Sequence, residues 1–239
     1  MKKELAVEMY FKPEAYLPLS VCIAQIEQIL KIQHNYLHKS ENWYLCGASK
    51  KKSSIYQLFN KNGVTKVGLE KLTQKYKKNK NSFSGSIWDK DTEEAALIYF
   101  LYEKTFEKRF FLKIELDFTI DIVITKSQTV TAFILALVQK FNSAYIMVNG
   151  NYLPKKAVFP DRLSAGWMIY LPKAQLTHEM VPESSDVVSV KNEDGLVTGT
   201  LVVTMPHFFD EENADDIKAV NRVDIRLREL DLLPLYTDM

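Results

Sequence analysis

The chain has 239 residues, 46% hydrophobic and 26% charged, an ordinary globular composition that supports a packed core without disulfides or metal. Its net charge is +1, so it lacks the strongly basic balance of a general nucleic-acid binder. Glu4 and Glu8 interrupt any apolar leader, and no window approaches the roughly 18 apolar residues of a bilayer span, so the expectation is a cytoplasmic protein with no membrane partner.

The near-neutral total hides a bipolar chain. Residues 1–80 carry 15 basic and 6 acidic side chains, a net of +9. Residues 183–239 carry 5 basic and 13 acidic ones. Such asymmetry suits electrostatic steering to a charged partner, and it equally suits charges that solvate different faces. Cys22 and Cys46 each sit in an apolar stretch, which favours buried free thiols in a reducing compartment.

In chain order, residues 4–11 read as a strand stopped by Lys12-Pro13. Ser20 caps a helix to about Leu37, with the apolar stripe Cys22, Ile23, Ile26, Ile29, Leu30 and Leu37. Trp43–Cys46 is a short apolar run ending at Gly47. Residues 53–60 and 67–78 read as two short helices split by Asn62-Gly63. Residues 82–88, 94–103 and 108–118 form a block of strands, of which 94–103 also tolerates a helix. From Leu112 to Phe118 apolar residues alternate with Lys113, Glu115 and Asp117, the mark of a half-buried antiparallel strand.

A helix follows from Thr125 to about Phe141, capped by Ser127, then a strand at Tyr145–Val148. Arg162–Leu171 is strand-like and stopped by Pro172. Val187–Val190 and Leu196–Thr204 flank the hairpin turn Asn192-Glu193-Asp194-Gly195. A last helix starts at Asn213 or Asp215 and runs to about Glu229. Hairpins dominate, so the expected fold is α+β: mainly antiparallel sheet with helices packed on one face and the C-terminal helix docked on the core. Residues 1–239 read as a single domain, with a possible two-lobe division near 75–82.

No catalytic site emerges. There is no Gly-x-Ser-x-Gly elbow, no phosphate-binding glycine loop and no Cys-x-x-Cys, and only eight glycines occur. His34 and His38 share a helix face at i, i+4 but have neither a Glu at the position a protease helix needs nor a third ligand. Asp117 and Asp121 share a strand face and read as solvated. Lys50-Lys51-Lys52 and Lys75–Lys80, with Tyr76 and Phe83 nearby, offer stacking and charge without a nucleic-acid-binding motif. The expectation is a protein that is not an enzyme, takes no cofactor or metal, and does not act directly on nucleic acid.

Several segments together carry a resemblance. Leu5–Pro13, the helix leading to Trp43-Tyr44-Leu45 and then Gly47-Ala48-Ser49-Lys50, the segment Ala165-Gly166-Trp167-Met168-Ile169-Tyr170-Leu171-Pro172, and the ending Asn221–Pro234 resemble the bacterial immunity protein 52 family. The resemblance implies a protein that binds and neutralises a cognate toxin, of the polymorphic kind delivered by systems such as type VI secretion. The toxins of that family resemble restriction-endonuclease-like nucleases. A nuclease presents a basic face, and Asp210, Glu211, Glu212, Asp215 and Asp216 place five carboxylates in seven residues as a candidate toxin-facing patch. Asp215 and Asp216 also sit where acids stabilise a helix N-terminus. Among the tryptophans Trp43, Trp88 and Trp167, Trp88, followed by Asp89-Lys90-Asp91, is the candidate surface anchor.

Overall fold

The computed structural model describes residues 1–47, 55–76, 82–90, 95–104, 109–150 and 157–239. It is α+β with antiparallel strand pairing and helices packed on sheet. The chain divides into two compact units. The first comprises Met1–Glu4 and Lys12–Thr125, the second Leu5–Phe11 and Lys126–Met239. Residues 75–82, named above for a possible division, fall within the first unit, and 77–81 lie outside the described residues.

The first unit contains α1 (Leu19–Leu37), β2 (Trp43–Leu45), β3 (Gln57–Asn60), β4 (Gly63–Val64), α2 (Lys66–Tyr76), β5 (Ser82–Trp88), β6 (Ala96–Lys104) and β7 (Phe110–Asp121). Its strands run in the order β7-β6-β5-β2-β3-β4, each neighbour antiparallel. The alternation along β7 is realised: Leu112, Ile114, Leu116, Phe118 and Ile120 are buried, and the residues between them are half-buried. Ile98, Phe100 and Tyr102 of β6 share that packed face. The approach to α1 is fixed there by Leu17 N–H donating to Tyr102 Oη at 3.0 Å.

Two local readings are corrected. Residues 57–60 are a strand, because Asn62-Gly63 closes a hairpin in place of breaking a helix. Asn60 Oδ1 accepts from Asn62 N–H at 2.8 Å, Gly63 adopts φ +99°, and Asn60 pairs with Gly63. Residues 53 and 54 lie outside the described residues. Ser20 and Ser127 are not caps. Pro18 and Lys126 occupy those positions, and neither helix has a side-chain cap.

The second unit contains residues 5–11 of β1 (Lys2–Phe11), then α3 (Ser127–Lys140), β8 (Tyr145–Val148), β9 (Met168–Pro172), β10 (Asp186–Lys191), β11 (Val197–Val203) and α4 (Ala214–Glu229). The strand order is β10-β11-β9-β8-β1. Leu5–Phe11 and Met168–Leu171 are buried without alternation, as expected of strands covered on both faces. Only the end of Arg162–Leu171 is strand. Residues 162–167 run irregularly because α4 captures their backbone. Asp224 Oδ1 accepts from Ala165 N–H at 2.6 Å, and Oδ2 accepts from Ser164 Oγ at 2.8 Å. Gly166 holds φ +54°, and a Cβ there would lie 2.3 Å from Val148 O and 2.6 Å from Gly150 N. Glycine is therefore required where this segment crosses β8.

Candidate functional site

The acidic stretch before α4 splits into two roles. Asn213 caps the helix, its Oδ1 accepting from Asp215 N–H at 3.0 Å. Asp216 is only 4% exposed. Its Oδ2 accepts from Asp210 N–H at 2.9 Å, and its Oδ1 lies 3.0 Å from His207 Nε2 and 3.1 Å from Asn213 Nδ2. This corrects the reading of Asp216 as a partner-facing acid: it folds the 207–213 loop onto the helix N-terminus. Asp210 is half-buried, its Oδ1 accepting from Glu212 N–H. Glu211, Glu212 and Asp215 are exposed, and Asp215 pairs with Lys218 at 3.1 Å. The surface patch is thus three carboxylates rather than five.

Of the tryptophans, Trp43 and Trp167 are core. Trp43 Nε1 donates to Ser40 O at 2.8 Å, and Trp167 Nε1 donates to Met205 O at 3.0 Å. Trp88 is half-buried at the end of β5, where it pairs with Tyr44 on one side and Leu97 on the other. The ammonium of Lys90 lies 3.3 Å from the Tyr44 ring centroid. Trp88 belongs to the first unit and the acidic patch to the second.

The thiols part company. Cys22 is buried and Cys46 exposed, so the expectation of two buried thiols holds for the first alone. Burial pushes both thiols upward, which keeps them protonated near neutral pH. His34 is held by its Nδ1 contact with Lys39 O at 2.8 Å, and His38 forms the left-handed C-cap of α1. Lys50–Lys52 and Lys77–Lys80 lie outside the described residues.

One cleft was not visible in the sequence. It lies on the first unit among α2, β2 and β5, with a volume of about 630 Å³. A second cleft of about 310 Å³ runs beside α1, lined by Glu27, His34, Glu41 and Gly63 among others. No helix among the described residues is long and apolar enough to cross a membrane.

The sequence matches no family model and no curated protein. Among solved structures, the chain is similar to Pseudomonas aeruginosa T6SS protein PA0821, with a TM-score of 0.52 and 10% identity. The likeness covers 95% of this chain and 76% of that one. At that identity it is the fold that is shared.

Proposed function

We propose that this chain is a partner-binding protein of a type VI secretion setting, and specifically an immunity protein that neutralises a cognate secreted toxin in the cytoplasm of the producing cell. What supports the reading is a fold in common with a type VI secretion protein over 95% of the chain, joined to the sequence resemblance to immunity protein 52. The toxin is a restriction-endonuclease-like nuclease, whose basic face Glu211, Glu212 and Asp215 oppose. The chain acts by occupying the toxin and performs no chemistry, with no cofactor and no direct contact with nucleic acid.

The test is co-expression with the toxin encoded beside this chain, reading growth rescue and co-purification together. Rescue with a stoichiometric complex is the expected result. Rescue without a complex would transfer the function to an enzyme that reverses the damage. Binding to several effectors without rescue would make the chain an adaptor of the secretion apparatus.

A further inference from the structure

We propose that the cleft among α2, β2 and β5 receives an acidic, bulky apolar segment of the partner protein: a large aliphatic or aromatic side chain inside, with an Asp or Glu at the mouth. The inference rests on the partner-binding reading and names where and how that partner is held.

The cleft is bounded by α2, which packs against β3 and β2, and by β5. Gly85 of β5 lines the cleft, whereas Phe83 and Ile87 on the same face are buried. The Phe100 ring occupies the place a Gly85 side chain would take, since a Cβ there would lie 2.5 Å from Phe100 Cζ, so no methyl can be added at this point of the lining. Leu45, Ile55 and Leu72 add aliphatic walls. At about 630 Å³ the space is in the range that buries a ligand of several side chains.

The charge at the mouth is of one sign. Lys71 and Lys75, four residues apart on α2, both line the cleft, and no Asp or Glu does so among the described residues. Neither ammonium pairs with a carboxylate among the described residues. Lys71 Nζ lies 5.1 Å from the Tyr56 ring centroid and Lys75 Nζ 5.1 Å from that of Tyr76. A cation over a half-buried ring at this distance is held only modestly, and a carboxylate offers each a stronger, charge-assisted bond. Cys46 at the rim adds no negative charge, because a thiol is neutral near pH 7 and partial desolvation shifts this one further upward. A phosphodiester chain would need a track of charges across open surface. A single apolar cleft with two ammonium groups at its mouth fits a peptide carboxylate with an apolar neighbour.

The experiment uses the full chain and its neighbouring toxin. The Lys71→Glu/Lys75→Glu double variant changes two exposed side chains, and Lys66→Glu, exposed on the same helix outside the cleft, is the control. The double reversal is expected to weaken toxin affinity by about tenfold or more and to flatten its salt dependence, with Lys66→Glu close to wild type. Ile55→Asp, which puts a like charge on the apolar wall, is expected to weaken binding similarly. Should the double reversal fail to fold, Lys71→Gln/Lys75→Gln replaces it. Wild-type rescue and affinity in the double variant would overturn the proposal and leave the immunity reading standing. If wild type neither rescues nor binds, the immunity reading falls, and the cleft is judged by titrating isotope-labelled chain with the peptide acetyl-Leu-Asp-Phe-Glu-amide. Saturable shifts at amides 45–47, 71–75 and 85–86, lost in the double variant, would sustain the cleft. Their absence up to roughly 5 mM peptide, or tighter occupancy of the same amides by an oligothymidylate, would overturn it.

Discussion

Asp224 and Ala165 are joined by a hydrogen bond of 2.6 Å, from the Ala165 N–H to a carboxylate that is 1% exposed. Ser164 Oγ donates to the other oxygen. Through this one side chain α4 fixes the irregular segment that leads into β9. Asp224→Ala leaves a buried N–H and a buried hydroxyl without their acceptor. It is expected to cost about 2–4 kcal/mol, read as a lower midpoint in chemical denaturation with an unchanged slope.

The same carboxylate makes stability depend on pH in an unusual direction. Burial raises its pKa from 3.8 to about 6, outweighing the hydrogen bonds from Ala165 and Ser164, which lower it. The folded state therefore holds the proton over a range in which the unfolded chain has released it. This contribution is full below pH 4, falls as pH rises toward 6, and is gone above. Its size is on the order of 3 kcal/mol. Asp224→Asn cannot titrate, so the stability of wild type relative to Asp224→Asn is expected to decline by that amount between pH 4 and 7. A difference curve flat in pH would show that the carboxyl titrates as an ordinary surface acid.

Asp216 and its acidic neighbours should separate in the same way by what they affect. Asp216→Ala removes the acceptor of Asp210 N–H and the partner of His207 and Asn213, and is expected to cost about 1–3 kcal/mol of stability. Glu211→Lys with Glu212→Lys is expected to leave the thermal midpoint in place while slowing association with the toxin at low salt. An unaltered association rate and an unaltered salt dependence would remove the patch from the interface.

Much of this architecture is legible in the residues because its driving force is local. β7 shows itself by alternation, the β10–β11 hairpin by Asn192–Gly195, and α4 by Asn213 followed by acids. The strand at Gln57–Asn60 is not legible, since four residues carry no period and Asn62-Gly63 marks a break in either structure. Nor is the fate of Asp216. Its sequence context is that of an exposed first-turn acid, and only the return of the 207–213 loop over the helix end buries it. The cleft of the first unit depends on how α2, β2 and β5 come together, a relation between residues far apart in the chain. Its one local trace is the glycine between Phe83 and Ile87.

Gly166 is the point where the segment that carries the family resemblance meets a steric limit. Gly166→Ala must place a side chain at φ +54° and drive its Cβ to 2.3 Å from Val148 O. The left-handed conformation costs about 1–2 kcal/mol and the overlap with backbone adds to it, so a loss of about 3 kcal/mol or more is expected. Because Trp167 follows and is packed on Phe208 at 5.1 Å between ring centroids, its fluorescence reports the disturbance directly. A Gly166→Ala variant with wild-type emission and midpoint would mean that the crossing over β8 relaxes freely.

Gln33 presents the opposite case, a buried group whose removal should help. It lies on the packed face of α1 at 0% exposure, and neither its Nε2 nor its Oε1 has a hydrogen-bond partner among the described residues. An amide desolvated without compensation costs about 1–3 kcal/mol by protein mutational measures. Leucine has a similar volume, continues the stripe of Ile26, Ile29 and Leu30, and has the better helix propensity. Gln33→Leu is expected to stabilise the chain by about 1 kcal/mol, seen as a higher denaturation midpoint at constant slope. Destabilisation instead would mean that the amide is satisfied in solution by a buried water, and the loss of stability would then measure that water's hydrogen bonds.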